Sequence, residues 1–235
     1  PRYTLFPYTT LLRYDDKKIE KFSFKNKSEI NKASEEVKSK KFNISDISTK
    51  VINRNPSGPF TTSTLQQTAS GRLGFGASRT MQIAQRLYQG IEIDGETIGL
   101  ITYMRTDGTN LSTDSISSLR NYIKTEFGNE YLPNEVLNYS GKKAKNAQEA
   151  HEAIRPTDVL RSPNNVKKYL SPDQHKLYDL IWSRALSSQM ESAKFDRNTI
   201  TITSDDSRTI FKASVSVIQF DWFLKIYKDH KKDND

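Results

Sequence analysis

The sequence predicts an α+β fold, with a helical central part between strand-rich ends. Three observations predict it. Hydrophobic residues near both ends alternate with a period of two, as in Thr199-Ile-Thr-Ile-Thr203. Between residues 59 and 192 the spacing lengthens to helical steps bounded by capping residues. The turn-rich Asn55-Pro-Ser-Gly-Pro59 marks the first change of character.

Taken in order, Lys18-Ile-Glu-Lys-Phe-Ser-Phe-Lys25 partly alternates and reads as a strand anchored by Ile19, Phe22 and Phe24. Ser28 to Lys40 reads as a polar helix carrying Ile30, Ala33 and Val37, and Phe42 to Ile52 returns to an extended pattern. Ser63 to Arg72 sets Leu65, Ala69 and Leu73 on one helical face and stops at the glycines from Gly71 to Gly76. Ser78 is placed to cap a second helix through Tyr88, with Ile83 and Leu87 inward and Gly90 as its stop. Ile91 to Ile98 reads as a hairpin about Asp94-Gly95. Thr113 to Phe127 aligns Ile116, Leu119, Ile123 and Phe127, and Asn134 to Ala147 is a polar loop. Ser171-Pro-Asp-Gln174 forms a capping box with Pro at the first helical position. The helix it opens runs to about Met190 and buries Leu177, Leu180, Ile181 and Trp182. Three antiparallel strands close the pattern, at Thr199–Thr203, Thr209–Ile218 and Phe220–Tyr227, with Trp222 expected among their buried residues.

The 235 residues suffice for one or two domains with a core. Only 34% are hydrophobic, which makes the chain polar, but 10% are aromatic, which argues against wholesale disorder. Lys and Arg number 36 against 28 Asp and Glu, a net charge of +8 that favours anionic partners, nucleic acid first. A merely lysine-rich surface has the same balance. The absence of cysteine excludes a disulfide framework and a thiolate metal site, and is compatible with the cytoplasm. No apolar run approaches the roughly 20 residues of a helical membrane span.

The chemistry concentrates in Ile101-Thr-Tyr-Met-Arg-Thr-Asp-Gly-Thr-Asn110. An apolar run from Ile98 to Ile101 delivers a tyrosine into a polar cluster. A free phenol has a pKa of about 10 and attacks poorly at neutral pH. A neighbouring guanidinium favours the phenolate and can hold a phosphate oxygen. Tyr103 with Arg105 is therefore suitable equipment for covalent attack on a phosphodiester. The same pair also describes a snorkelling ring beside a surface charge.

Residues 47 to 91 contain no Asp or Glu but do contain Arg54, Arg72, Arg79 and Arg86. Arg79 and Arg86 lie seven apart and share a helical face. The same helices carry Thr61, Thr62, Gln66, Gln67, Gln82 and Gln85. Neutral hydrogen-bonding side chains with arginine and no carboxylate suit a phosphate backbone, whereas a solvated helix face normally mixes both signs of charge.

Ile101-Thr-Tyr-Met-Arg-Thr-Asp107, followed by Thr-Asn-Leu-Ser112, resembles the active-site segment of type IA DNA topoisomerases, the bacterial topoisomerase I branch above all. Pro59-Phe-Thr-Thr-Ser-Thr-Leu-Gln-Gln67 with Met81-Gln-Ile-Ala-Gln-Arg-Leu-Tyr88 resembles the stretch before it. Glu149-Ala-His-Glu-Ala-Ile-Arg-Pro-Thr157 resembles the stretch after it. Gly108 departs from the pattern, since many members have Ser there. Met104 favours topoisomerase I over topoisomerase III, which commonly has Pro. The resemblance runs from about Tyr14 to the C-terminus. Tyr3 to Arg13 instead resembles a translated sequencing adapter, so residues 1–13 are expected to be non-native and the chain an internal fragment.

The resemblance implies a helical domain, residues 59–192, inserted into a β-rich arch made of residues 14–58 and 193–235, all part of a toroidal fold. It implies that Tyr103 attacks one DNA strand and becomes joined to its 5′-phosphate. The other strand then passes, and religation relaxes negative supercoils without ATP. It implies a charge-stabilising role for Arg105 and DNA binding by Thr102, Thr106, Asp107, His151, Arg155, Arg79 and Arg86. The implied partner is DNA, single-stranded segments especially, for a monomeric protein of the bacterial cytoplasm and nucleoid with no membrane partner. Mg²⁺ is the implied cofactor of the full-length enzyme, held by acidic ligands absent from this chain; Asp15-Asp16 and Asp205-Asp206 read as turns. This chain alone is accordingly expected to be inactive. Two other readings stand beside this one. A stand-alone single-stranded nucleic-acid-binding module would use the basic face without chemistry. A tyrosine recombinase would also form a phosphotyrosine, but its Arg and His precede the tyrosine, whereas Arg105 and His151 follow it.

Overall fold

The extended pattern ends at Arg54, where the proline and glycine of the following turn break it. The computed structural model describes residues 3–4, 10–20, 22–139 and 152–227. In chain order the first half holds β1 (Tyr3–Thr4), β2 (Thr10–Tyr14), β3 (Lys17–Lys18), α1 (Lys27–Ser39), β4 (Phe42–Arg54), α2 (Thr62–Leu73) and α3 (Ala77–Gln89). There follow β5 (Ile91–Ile93), β6 (Glu96–Ile98), α4 (Thr113–Glu126), α5 (Pro163–Val166), α6 (Pro172–Ser187), β7 (Ala193–Ser204) and β8 (Ile210–Phe220). Two compact units result. One combines the residues up to 54 with 193–221; the other combines 55–192 with the residues from 222 onward.

The strand unit is one antiparallel sheet in the order β3-β2-β8-β7-β4, with β1 also on β8. β4 and β7 pair from Phe42↔Ser204 to Arg54↔Ala193, with a slip between Ile44 and Asp46. β2 pairs with β8 from Thr10↔Lys212 to Arg13↔Ile210, so part of the segment expected to be non-native is built into the sheet. The Asp15-Asp16 turn has positive φ at both residues and is held by Arg208, which pairs with each carboxylate. The strand expected over residues 18–25 shrinks to Lys17–Lys18. Ser23 is the reason: its hydroxyl accepts the Glu20 N–H at 2.8 Å and its own N–H returns to the Glu20 carbonyl at 3.1 Å, a local turn that displaces strand pairing. Phe22 is left exposed. The Asn26 side chain caps α1, and Ala33 is the residue that α1 buries, while Ile30 stays outside.

The helical unit is built on α6, whose Leu177, Tyr178, Ile181 and Ala185 are fully buried. Its capping box of Ser171 and Gln174 forms as the sequence predicts. α2 opens with a second capping box, Thr61 with Thr64, and closes at Gly74, whose φ of 69° suits glycine. α3 starts one residue before Ser78, after Gly76, and no side chain caps it. The chain leaves the sheet earlier than expected. After Phe220 it makes a 3₁₀ turn over Trp222–Lys225, and this segment belongs to the helical unit. Tyr227 explains the change: Arg72 stacks on its ring at 4.5 Å, and the Arg184 Nη1 donates to its hydroxyl at 3.1 Å. Phe223 is buried there, whereas Trp222 is only half-buried. Among the described residues, no helix is long and apolar enough to cross a membrane.

Candidate active site

The three stretches singled out in the sequence converge on one short strip of backbone. Ile154 donates its N–H to the Phe60 carbonyl at 2.8 Å, and Ala153 donates to Asn110 at 2.9 Å. Thr102 donates to the Arg155 carbonyl at 2.9 Å, and Thr157 donates to Leu100 at 3.0 Å. Residues 152–157 thus lie between the entry to α2 and the segment carrying Tyr103. These bonds satisfy backbone groups that no regular sheet or helix would serve.

Burial then decides which side chains face out. Ile101 and Met104 are almost fully buried, while Tyr103 is 49% exposed and Arg105 is exposed. The two polar candidates therefore stand on the solvent side of a segment anchored by its apolar members. The approach to Tyr103 is tight. A Cβ on Gly99 would lie 2.7 Å from the Tyr88 carbonyl, so glycine lets the chain pass the end of α3. Leu100 donates to the Leu87 carbonyl at 2.8 Å. The Tyr88 and Tyr103 rings meet edge to face at 5.3 Å, a contact that holds the Tyr103 ring against the end of α3.

Arg105 lines two open grooves. One, of about 730 Å³, is bordered by Gln66 of α2 and by Gln82, Gln85, Arg86 and Gln89 of α3. The other, of about 450 Å³, is bordered by Thr61, Thr62, Ser63, Thr106 and Asp107. Among the described residues, no carboxylate pairs with Arg105 or Arg86. Both are free to meet an anion.

The other candidates differ in availability. Asp107 and Thr106 sit beside Arg105, with the Thr106 hydroxyl accepting the Gly108 N–H at 3.0 Å. The Thr102 hydroxyl is committed, donating to Ala153 at 2.7 Å and accepting the Arg155 N–H at 3.0 Å. Arg155, expected to bind DNA, is clamped by Glu152 through Nε at 2.7 Å and Nη2 at 3.0 Å, and its Nη1 donates to the Pro156 carbonyl at 2.8 Å. Its side chain is only 16% exposed. Partial burial pushes the Glu152 carboxyl up, but the bonds from Arg155 and the Ser112 N–H outweigh it and hold the group below the usual carboxylate range. Arg79 is also occupied: its guanidinium pairs with Asp173 at the start of α6 and stacks on Phe75 at 4.7 Å. The carboxylate missing from residues 47–91 is supplied across the fold. His151 lies outside the described residues.

Thr62 and Glu152 hold the site together, and neither has a local sequence signal for that task. The Thr62 hydroxyl donates to the Met104 carbonyl at 2.7 Å and accepts the Thr106 N–H at 2.8 Å. No cluster of three or more His, Asp or Glu side chains capable of holding a metal occurs among the described residues. These residues therefore do not fit the Mg²⁺ that the resemblance implies.

With this geometry in place, the comparison with known proteins is direct. The family model described as DNA topoisomerase matches residues 4–235. The chain belongs to the DNA topoisomerase family. The match takes in most of the first 13 residues as well. DNA topoisomerase 1 of Rickettsia felis is 46% identical over 223 residues, which are 95% of this chain and 29% of the relative. DNA topoisomerase 1 of Campylobacter jejuni is 43% identical over 223 residues, 95% of this chain and 31% of the relative. Full-length topoisomerase I from Thermotoga maritima has a similar structure, with a TM-score of 0.77 and 34% identity over 97% of this chain and 36% of that one. The chain thus spans about a third or less of the topoisomerases it matches.

Proposed function

We propose that this chain supplies the tyrosine nucleophile of a type IA DNA topoisomerase. The observation that carries the reading is the joint exposure of Tyr103 and Arg105 on one anchored segment, with unpaired cationic groove surface beside them. The Tyr103 oxygen attacks a backbone phosphorus of single-stranded DNA. A bond forms from that oxygen to phosphorus, and the bond to the 3′-oxygen breaks. The phenol loses its proton, the leaving 3′-oxygen gains one, and the 5′-phosphate stays on the tyrosine. Arg105 stabilises negative charge on the phosphate during attack. Attack by the 3′-hydroxyl reverses each bond change and frees the tyrosine, so no nucleotide cofactor is required. Arg86 and the α3 glutamines hold the strand. Thr106 and Asp107 border it beside Arg105. The protein acts as a monomer in the bacterial cytoplasm and nucleoid.

The test uses a chimera in which residues 4–235 replace the matching stretch of the Rickettsia felis relative. Incubation with a single-stranded oligonucleotide should trap a covalent adduct carrying the fragment downstream of the cut. Tyr103→Phe should abolish the adduct and plasmid relaxation while leaving DNA affinity within about twofold, because only the attacking oxygen is lost. The 235-residue chain alone should bind DNA without cleaving it, because Arg105 provides only part of the charge neutralisation and no proton for the leaving oxygen. An adduct on the upstream fragment would point to recombinase chemistry. Binding without any adduct in the chimera would favour a stand-alone binding module.

A further inference from the structure

Arg155 was expected at the DNA, yet its charge is turned inward, and its surroundings explain why. Glu152 accepts both nitrogens of the guanidinium fork. The same Glu152 Oε1 accepts the Ser112 N–H at 3.1 Å, and the Ser115 hydroxyl lies 3.3 Å away. Ser112 is the N-cap of α4, its hydroxyl accepting the Ser115 N–H. On the other side, the Arg155 backbone both donates to the Thr102 hydroxyl and accepts the Thr102 N–H. The Arg155 backbone therefore grips residue 102, directly before Tyr103, the Glu152 carboxylate grips residue 112, where the segment enters α4, and the carboxylate–guanidinium pair ties these two anchors together. The loop from 103 to 111 is held at one end by the Arg155 backbone, at the other by the Glu152 carboxylate, and in the middle by Thr62.

We infer that Glu152 and Arg155 form a positioning pair, which sets the placement of Tyr103 and Arg105 through Thr102 and Ser112 and makes no contact with DNA. A bidentate pair suits the task because its fork fixes orientation as well as distance. The pair is only partly exposed, so solvent screens it less than a surface ion pair. Attack on phosphorus is sensitive to misplacement of about 1 Å, which can cost on the order of a hundredfold in rate. A loop held only at its middle would leave that freedom at both ends.

The inference rests on the proposed role of Tyr103, so the experiment separates the two. In the chimera, Glu152→Gln keeps the size of the side chain but removes the charge and one acceptor. Single-turnover cleavage at saturating oligonucleotide should fall tenfold to a hundredfold, with DNA affinity within about twofold and the thermal midpoint little changed. In the 235-residue chain, amide hydrogen exchange should quicken at Thr102 and Ser112 while Ile123 in the middle of α4 stays protected. Arg155→Lys, which keeps the backbone bonds to Thr102 but loses the fork, should act in the same direction and serves as the second variant if Glu152→Gln does not fold. Unchanged cleavage, or a loss that follows weakened DNA binding, would overturn the positioning role. A Tyr103→Phe chimera that still forms the adduct would instead overturn the reading beneath it, whatever the exchange data show.

Discussion

The hydroxyl of Thr62 bonds to both sides of Arg105, donating to the Met104 carbonyl at 2.7 Å and accepting the Thr106 N–H at 2.8 Å. The Thr62 N–H in turn donates to the Thr106 carbonyl at 2.9 Å. One residue at the first position of α2 therefore fixes the backbone from which Arg105 projects. Thr62→Val keeps the shape but leaves a partly buried N–H without its acceptor and a carbonyl without its donor. A cost of about 1–3 kcal/mol is expected. Thr62→Ser should recover most of it. Urea unfolding of the two variants measures the difference, and equal midpoints would show that the hydroxyl does not hold the segment.

Groove charge predicts salt dependence. Each phosphate contact to single-stranded DNA should contribute about 0.7 to the slope of log affinity against log salt. Arg86→Ala should lower the slope by about that amount, since Arg86 has no carboxylate partner among the described residues. Arg79→Ala should lower it less, because Asp173 already neutralises Arg79. Fluorescence titrations at several salt concentrations separate the two, and a larger loss from Arg79→Ala would place the strand on a different face.

Arg105→Ala in the chimera should slow cleavage by about a hundredfold or more, the usual consequence of losing a preorganised charge-stabilising donor, while binding weakens far less. The comparison is between single-turnover cleavage and DNA affinity. Equal losses in both would make Arg105 a binding residue only.

Much of this arrangement was legible because its signals are local. The capping box at Ser171, the Asp94-Gly95 turn and the period of α4 each fall within a few residues, and each appears as expected. What could not be read depends on partners far along the chain. Nothing near Arg79 signals Asp173, 94 residues away. Nothing near Phe220 shows that Tyr227 will pack against Arg72 and Arg184 instead of continuing a strand. Arg155 is a different case: DNA binding was implied for it by the resemblance, and its pairing with Glu152, only three residues away, became apparent with the structure.

Gly58 should resist substitution for a reason independent of backbone conformation. A Cβ there would lie 2.8 Å from Cγ and 2.9 Å from Cδ1 of Tyr139, at the root of the ring where it cannot swing aside. The Gly58 carbonyl also accepts the Arg184 Nε at 2.7 Å, so the backbone has little room to retreat. Gly58→Ala should cost about 1–3 kcal/mol by overpacking. Chemical denaturation measures it, and a neutral result would mean that residues 137–139 can shift without loss.

Tyr139 also predicts how the helical unit responds to alkali. Its single hydroxyl proton is shared between the Ser188 carbonyl at 3.0 Å and the Pro56 carbonyl at 3.1 Å. Two acceptors and a half-buried ring disfavour the phenolate. Burial pushes the group up to about 12, with Arg184 pulling weakly the other way. Since the folded value exceeds the value of about 10 expected in an unfolded chain, the unfolded state loses its proton first as pH rises. The stabilisation is therefore complete below about pH 10 and is lost progressively as the pH climbs towards 12. Burial also raises Tyr178, whose hydroxyl donates to the Arg161 carbonyl at 2.7 Å, so it contributes in the same direction. Tyr139→Phe should consequently be less stable at neutral pH, having lost the shared hydrogen bond to the two carbonyls. Its stability should fall less steeply between pH 10 and 12, without becoming flat, because Tyr178 still titrates. Denaturant midpoints recorded across that range for both proteins provide the test, and parallel curves would show that Tyr139 does not couple its ionisation to folding.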